Sequence, residues 1–274
     1  MKSKNPTKVP PVMILCGGQG TRLRDVTELL PKPMVPIGEQ PIIWHIMKNY
    51  AAFGVTRFIL CLGYKREEFI DYFLNYHARS ADITIRLGRE RDITYHDHSG
   101  EENWEVTLAN TGLDTMTGGR VRIAARYLEP DDEFFFLTYG DAVADVAIDE
   151  LLEFHKTAGK LLTISAVNPV GRFGELSLAG DVVQGFREKP PGDDKYINGG
   201  FMVMDRRFIH KYLSSKDMFL EAAPMTNAAA GSDVAAYRHY GFWQCMDTPR
   251  EHQLLNELWK KGNAPWMKYW GRHV

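Results

Sequence analysis

The sequence contains little cysteine and no excess of charge of either sign. Its three cysteines, Cys16, Cys61 and Cys245, stand far apart in 274 residues. This spacing excludes a disulfide framework and a cysteine-based zinc site, and it favours a reducing cytoplasm. Lys and Arg number 33 against 35 Asp and Glu, a net charge of -2. We therefore expect no binding of nucleic acid or of a membrane surface driven by overall charge.

Long hydrophobic runs are also absent. No stretch of about 18 apolar residues occurs, so no membrane span is expected. Residues 1–10 are polar, contain two prolines and lack the apolar centre of a signal peptide, which predicts a loose tail. Apolar residues still make up 44% of the chain, enough for a sizeable core.

A glycine-rich stretch follows the first apolar run. Val12 to Leu15 has the pattern of a buried strand, and residues 16–23 then read Cys-Gly-Gly-Gln-Gly-Thr-Arg-Leu. Glycines let main-chain N–H groups approach an anion closely, and Arg22 and Lys32 add positive charge. Lys32 stands between two prolines, which predicts an extended backbone. The P-loop and dinucleotide patterns are not met, so we predict a different polyphosphate loop; the alternative is an ordinary strand-to-helix turn.

The following segments alternate between helix and strand patterns. A helix is predicted from Pro41 to Gly54 and a buried strand from Phe58 to Leu62. Such alternation predicts a doubly wound parallel sheet, which binds ligands at the carboxyl ends of its strands. Short runs between Ile83 and Leu108 predict small strands or a hairpin laid over that sheet. The aromatic tail, Trp266 to Trp270, should pack on the body or on a neighbouring subunit.

Two aspartates follow predicted strands. Asp141 comes after the apolar run Phe134 to Thr138, and Asp247 ends the segment that begins at Gly241. Carboxylates at strand ends suit a magnesium ion, so both are predicted to converge on one metal from two strand tips. For Asp141, the alternative is a helix-capping role.

A segment rich in glycine and hydroxyl groups spans residues 110–120, ends in Arg120 and precedes an apolar helix pattern. It is either a platform for an anion or nucleotide base at a helix start, or an ordinary helix cap.

The pattern Gly-Gly-x-Gly-Thr-Arg-Leu followed by Pro-Lys-Pro-Met resembles the signature of the sugar-phosphate nucleotidyltransferases. Matching segments continue in the same order from Val12 to Trp270, and within the family they are most similar to the cytidylyltransferases acting on glucose 1-phosphate. The resemblance implies a Rossmann-like three-layer α/β fold with a mixed, mostly parallel central sheet and a small β/α appendage. It also implies cytidylyl transfer from CTP to the sugar phosphate with Mg²⁺, in a cytoplasmic homo-oligomer serving lipopolysaccharide biosynthesis.

The resemblance also assigns regions and residues. Residues 11–274 form one domain, with a nucleotide part at about 11–145, a sugar-phosphate part at 146–250, and a C-terminal helix and tail at 251–274. Catalytic roles fall to Arg22, Lys32 and Asp141. The nucleotide positions are Leu15, Cys16, Gly17, Gly18, Gly20, Thr21, Arg22, Lys32, Thr115, Arg120, Gly140 and Asp141. The sugar-phosphate positions are Tyr139, Gly174, Glu175, Lys189, Asn198 and Gly199. The metal ligands are Asp141 and Asp247.

Two segments depart from the family pattern. Ala142 stands where glycine is usual, and residues 220–224 read Leu-Glu-Ala-Ala-Pro where the family tends to have Trp-Glu-x-Glu-Pro. One alternative is a sister enzyme that uses UTP, dTTP or another sugar phosphate. Another is a non-catalytic sugar-nucleotide-binding protein, suggested only by these departures. A nicotinamide-dependent dehydrogenase is disfavoured by the glycine pattern.

Overall fold

The computed structural model describes residues 8–18, 29–88, 91–96, 103–169, 175–187 and 196–272. The strands are β1 (Val12–Leu15), β2 (Pro36–Ile37), β3 (Gln40–Pro41), β4 (Arg57–Leu62), β5 (Asp82–Leu87), β6 (Arg91–His96), β7 (Glu105–Asn110), β8 (Phe134–Tyr139), β9 (Ala142–Ala144), β10 (Leu162–Val167), β11 (Glu175–Ala179), β12 (Val182–Arg187), β13 (Ile197–Asp205), β14 (Val234–His239) and β15 (Trp243–Cys245). The helices are α1 (Ile42–Ala51), α2 (Arg66–Leu74), α3 (Tyr76–Ser80), α4 (Thr117–Ala124), α5 (Ile148–Ala158), α6 (Arg206–Tyr212), α7 (Ala223–Ala230) and α8 (Pro249–Lys260).

A seven-stranded sheet in the order β14-β10-β13-β8-β1-β4-β7 forms the centre. Strands β8, β1, β4 and β7 are parallel to one another, β10 is parallel to β14, and β13 is antiparallel to both of its neighbours. The predicted mixed, mostly parallel sheet is therefore confirmed. The hairpins β5–β6 and β11–β12 form sheets of their own.

Both faces of the central sheet are covered, which makes the fold three-layered. Along β1, Val12 and Ile14 belong to one buried cluster and Met13 and Leu15 to the other. Such alternation is required when a strand has a core on each side. Helices α1, α5 and α8 contribute to the first cluster, and α4, α6 and α7 to the second.

The structure corrects the prediction for residues 83–108. Only β5 and β6 form a hairpin; β7 instead joins the central sheet as its edge strand, parallel to β4. Its sequence, Glu-Val-Thr-Leu-Ala-Asn, alternates because an edge strand is half exposed, and this resembles a hairpin strand at the sequence level. Helix α4 also begins earlier than expected, at Thr117, so that Arg120 lies inside it.

The C-terminal aromatic residues pack on the body of the protein. Trp266 is fully buried, and its Nε1–H donates a hydrogen bond of 3.3 Å to Nδ1 of His45 in α1. The opposite ring nitrogen of His45 bonds the carbonyl of Ile37 at 3.0 Å. Burial lowers the pKa of His45 to about 4, so the neutral ring accepts from Trp266 and donates to Ile37. In the described part of the chain, no helix is long and apolar enough to cross a membrane.

We predict that Trp266→Ala lowers the free energy of unfolding by about 3–5 kcal/mol, because it leaves a large cavity between α1 and the tail. Trp266→Phe should cost about 1–3 kcal/mol, since it keeps an aromatic ring but leaves Nδ1 of His45 unsatisfied. Urea denaturation measures both values. A loss below about 1 kcal/mol for Trp266→Ala would show that the tail is not part of the core.

Candidate active site

The candidate site lies where two adjacent central strands end. Because β1 pairs in parallel with β8, Leu15 lies opposite Tyr139, and the loops after both strands start side by side. The Gly140 N–H donates to the carbonyl of Leu15 at 3.1 Å. A Cβ at Gly140 would lie 2.9 Å from the Pro33 side chain and 3.2 Å from Cys16 Sγ. Glycine is therefore needed here so that the loop carrying Lys32 can cross the strand ends.

Lys32 is the central cation of the site. Its Nζ donates to Asp141 Oδ2 at 2.6 Å and to Asp247 Oδ1, while 11% of its side-chain surface remains exposed. Burial opposes the charged form, but the two carboxylates outweigh it and raise the pKa of the Lys32 ammonium.

The predicted extended backbone at Lys32 is wrong: residues Lys32–Met34 form a 3₁₀ turn closed by the bond from Met34 N–H to Pro31 carbonyl.

Asp141 and Asp247 reach this lysine from different parts of the fold. Asp141 follows the end of β8 after Gly140, as predicted. Asp247 follows β15, so it also stands at a strand tip as predicted, and β15 pairs with β9 outside the central sheet. The N–H of Met246 donates to the Asp141 carbonyl at 2.8 Å and joins the two segments. The β9–β15 pair and this bond therefore bring the second carboxylate to the carboxyl end of β8.

These two carboxylates fit a divalent cation. They converge on one positive group and consist of the hard oxygen ligands that Mg²⁺ prefers. Among the described residues, a second acidic cluster, Glu129, Asp131 and Asp132, lies near the amino end of β8. Its carboxylates pair with Lys8 and Arg57, so it is a salt-bridge network away from the candidate site.

Arg120 ties the glycine turn to the neighbouring loop. It is 5% exposed and donates to the carbonyls of Gly17 at 3.1 Å and Gly112 at 2.7 Å, and to Thr111 Oγ1 at 2.8 Å. Burial lowers the pKa of its guanidinium. A Cβ at Gly17 would come within 2.2 Å of that guanidinium, which explains the glycine there. Arg120 thus sets the shape of the loop next to Thr115, and its predicted contact with a nucleotide stays a prediction.

Tyr139, the last residue of β8, is hydrogen-bonded to Asn198. The Tyr139 hydroxyl accepts from Asn198 Nδ2 at 3.1 Å, and Asn198 Oδ1 accepts from the Gly200 N–H at 2.9 Å. Gly199 bonds through its carbonyl to the Trp243 indole at 2.7 Å. The turn that was predicted to bind the sugar phosphate is therefore built next to the strand end that carries Asp141.

Glu221 is a residue of this region that the sequence reasoning missed. Its carboxylate accepts from the Tyr139 hydroxyl at 2.7 Å and from Thr117 Oγ1 at 2.6 Å. It thereby links the start of α4 to the Tyr139–Asn198 pair. A signal exists in the sequence, because Glu221 keeps the first acid of the family's Trp-Glu-x-Glu-Pro segment even though the tryptophan and the second acid are missing.

Several predicted positions cannot be placed. Gly20, Thr21, Arg22, Gly174 and Lys189 lie outside the described residues. Glu175 begins β11, and only its backbone is described. Cys16 and Cys61 are buried, which raises the pKa of both thiols, that of Cys61 to about 12, so neither is suited to act as a nucleophile.

The chain resembles known proteins over most of its length. A family profile described as nucleotidyl transferase matches residues 11–244. The chain is 45% identical to glucose-1-phosphate cytidylyltransferase of Salmonella typhimurium, over 94% of this chain and 98% of that protein. It is 38% identical to a probable glucose-1-phosphate cytidylyltransferase of Bacillus subtilis, over 94% and 99% respectively. The crystal structure of HddC from Yersinia pseudotuberculosis complexed with GMP-PN shares the fold, with a TM-score of 0.66 at 24% identity over 92% of this chain and 100% of that one.

We predict that Lys32→Met tightens binding of Mn²⁺, used as a spectroscopic probe, by about ten-fold in the absence of nucleotide. Removing the ammonium leaves Asp141 and Asp247 without their shared positive partner, and a divalent ion can then neutralise both. Electron paramagnetic resonance titration gives the affinity. Lys156→Met, at an exposed position of α5, is the control and should change nothing. Unchanged or weaker Mn²⁺ binding in Lys32→Met would remove these carboxylates as a cation site.

Proposed function

Because the chain belongs to the nucleotidyl transferase family, we propose that it transfers a cytidylyl group from CTP to α-D-glucose 1-phosphate and releases pyrophosphate. The observation that carries the proposal is the convergence of Lys32, Asp141 and Asp247 beside the glycine turn. This convergence brings cationic and metal-ligating groups to the carboxyl ends of the central strands, where such folds bind nucleotides. It accompanies close sequence identity to cytidylyltransferases over nearly the whole chain.

The chemistry demands positioning rather than proton transfer. The attacking phosphate oxygen of the sugar phosphate is already anionic at neutral pH, so no general base is required. The protein has to hold two polyanions in line and neutralise charge that develops at the α-phosphate. The net charge of -2 gives the protein no overall attraction for anions, so individual cations at the site must neutralise this charge.

Lys32 is the described residue best placed to do so. Its ammonium lies at the strand ends and stays charged because of its acidic neighbours. Asp141 and Asp247 would hold Mg²⁺, which supplies neutralisation of triphosphate charge when bound. Arg22 on the triphosphate and Lys189 on the sugar phosphate complete the proposal, although both lie outside the described residues.

Tyr139, Asn198 and Glu221 are proposed to orient the glucosyl group. The hydrogen-bond order, from Asn198 to Tyr139 and from Tyr139 to Glu221, fixes which atoms donate and which accept. Burial, and after it the Glu221 carboxylate, raise the pKa of Tyr139, so the phenol stays protonated and donates to Glu221. The second N–H of Asn198 and free lone pairs of Glu221 are then oriented towards sugar hydroxyls.

The remaining expectations rest on the family resemblance. The division at about residue 145, a homo-oligomeric state, a cytoplasmic location and a role in lipopolysaccharide biosynthesis stay predictions. The tail does not support an oligomer, because its Trp266 is covered by the same chain.

A substrate panel tests the function directly. Pyrophosphate release should be fastest with CTP and glucose 1-phosphate in the presence of Mg²⁺, and should be lost with EDTA. The panel pairs CTP, UTP and dTTP with several sugar 1-phosphates. Faster turnover with UTP or dTTP would assign a sister enzyme. Binding of CTP and glucose 1-phosphate without any turnover would assign a sugar-nucleotide-binding protein instead.

We predict that Glu221→Gln raises KM for glucose 1-phosphate by about ten-fold and leaves KM for CTP within about two-fold, because a charge-assisted bond to Tyr139 is lost. Steady-state kinetics with one substrate varied at a time gives both constants. Glu150→Gln is a matched control, since Glu150 accepts from the Tyr237 hydroxyl at 3.1 Å in a separate tyrosine–carboxylate pair. An equal rise of both KM values, or of neither, would contradict the positioning role.

A further inference from the structure

A basic cavity of about 580 Å³ lies between α4 and α6, on the sheet face opposite α1. Arg122 of α4, Arg126 of the following 3₁₀ turn, and Arg206 and His210 of α6 line its rim. The buried side chains of Ile209 and Leu213 form an apolar floor. The volume falls within the range of small-molecule sites, roughly 300–1,000 Å³.

The cavity is separate from the candidate active site. Helix α6 follows Asp205, which lies opposite Phe134 at the amino end of β8. Asp141 follows Tyr139, at the carboxyl end of that strand. The Arg206 end of the cavity and the candidate active site therefore lie at opposite ends of β8, which is six residues long.

The arrangement of like charges is unfavourable without an anion. Arg122 and Arg126 are four residues apart along one segment, and Arg206 and His210 are four apart along the other, so each pair points its basic groups to one side. Arg122 and Arg126 are both positively charged, and like charges at this spacing on a helical segment are unfavourable. None of the described residues that line the cavity carries a carboxylate.

Five arginines elsewhere on the described surface have acidic partners. These are Arg57 with Asp132 at 2.5 Å, Arg79 with Asp71 at 2.9 Å, Arg86 with Asp92 at 3.2 Å, Arg207 with Asp205 at 2.6 Å and Arg272 with Asp149 at 3.1 Å. In the cavity, by contrast, Arg206 donates to the Glu129 carbonyl at 2.8 Å and Arg126 to the Tyr127 hydroxyl at 3.0 Å, both uncharged acceptors. Neither arginine forms an ion pair with a carboxylate of the described residues, although the Glu129 backbone that Arg206 bonds belongs to the acidic cluster before β8.

We propose that this cavity binds a phosphorylated small molecule, with the phosphate groups on Arg122, Arg126 and Arg206 and any less polar part on the floor at Ile209 and Leu213. Guanidinium groups match phosphate oxygens in bidentate geometry and are favoured over other cations for that purpose. The phosphate can come from a nucleotide or from free pyrophosphate. The site is distinct from the proposed catalytic function and does not depend on it.

Isothermal titration calorimetry on the full chain tests the proposal, with CTP and pyrophosphate as separate probes. We expect the wild type to bind two equivalents of at least one probe, and Arg122→Gln/Arg126→Gln to lose one of them, with at least ten-fold weaker affinity. The matched control Arg79→Gln/Arg86→Gln removes the same charge from paired surface arginines and should keep both equivalents. Lys32→Met identifies the event that belongs to the candidate active site.

The outcomes separate cleanly. If Arg122→Gln/Arg126→Gln loses one equivalent of both CTP and pyrophosphate, the cavity recognises the phosphates alone. If it loses one equivalent of CTP only, the apolar floor also contributes to binding. Two equivalents retained in Arg122→Gln/Arg126→Gln, or equal weakening in the control, would overturn the proposal. A single wild-type equivalent that Lys32→Met abolishes would do so too. If the catalytic proposal alone fails, the event sensitive to Arg122 and Arg126 remains.

Discussion

The contact of Lys32 with two carboxylates is the interaction on which the site depends. It joins three segments far apart in sequence: a 3₁₀ turn after the glycine-rich stretch, the end of β8 and the end of β15. A partly buried ammonium is costly unless carboxylates accompany it, and two carboxylates together are costly unless a cation lies between them. Each group therefore makes the position of the others favourable.

The surrounding architecture makes that contact possible through close approach of main chains. At Gly140, glycine leaves room for Pro33 and Cys16, and at Gly17 it leaves room for the Arg120 guanidinium. Arg120 binds carbonyls of two loops, whereas Lys32 binds side chains, so one cation shapes the backbone and the other serves the proposed chemistry. Arg122, Arg126 and Arg206 line a cavity to which no described residue contributes a carboxylate, which is why a second anion site is proposed there.

Much of the fold was predictable because buried strands in a parallel sheet are continuous apolar runs. Val12 to Leu15 and Phe58 to Leu62 were predicted with nearly their observed bounds. The edge strand β7 was misinterpreted because half-exposed strands alternate in the same way as hairpin strands do. The strand before Asp247 was predicted without a partner, since the three residues of β15 carry no sign that they pair with β9.

The sequence by itself determined the fold class, the family and the candidate charged residues of the site, because apolar periodicity and short motifs are local properties. Only the tertiary structure decided that Lys32 meets Asp141 and Asp247 in one place, that Glu221 bonds Tyr139, and that Arg206 lies across a cavity from Arg122. These contacts join residues far apart along the chain, and their formation depends on how the sheet and its covering helices pack. No local pattern records that packing.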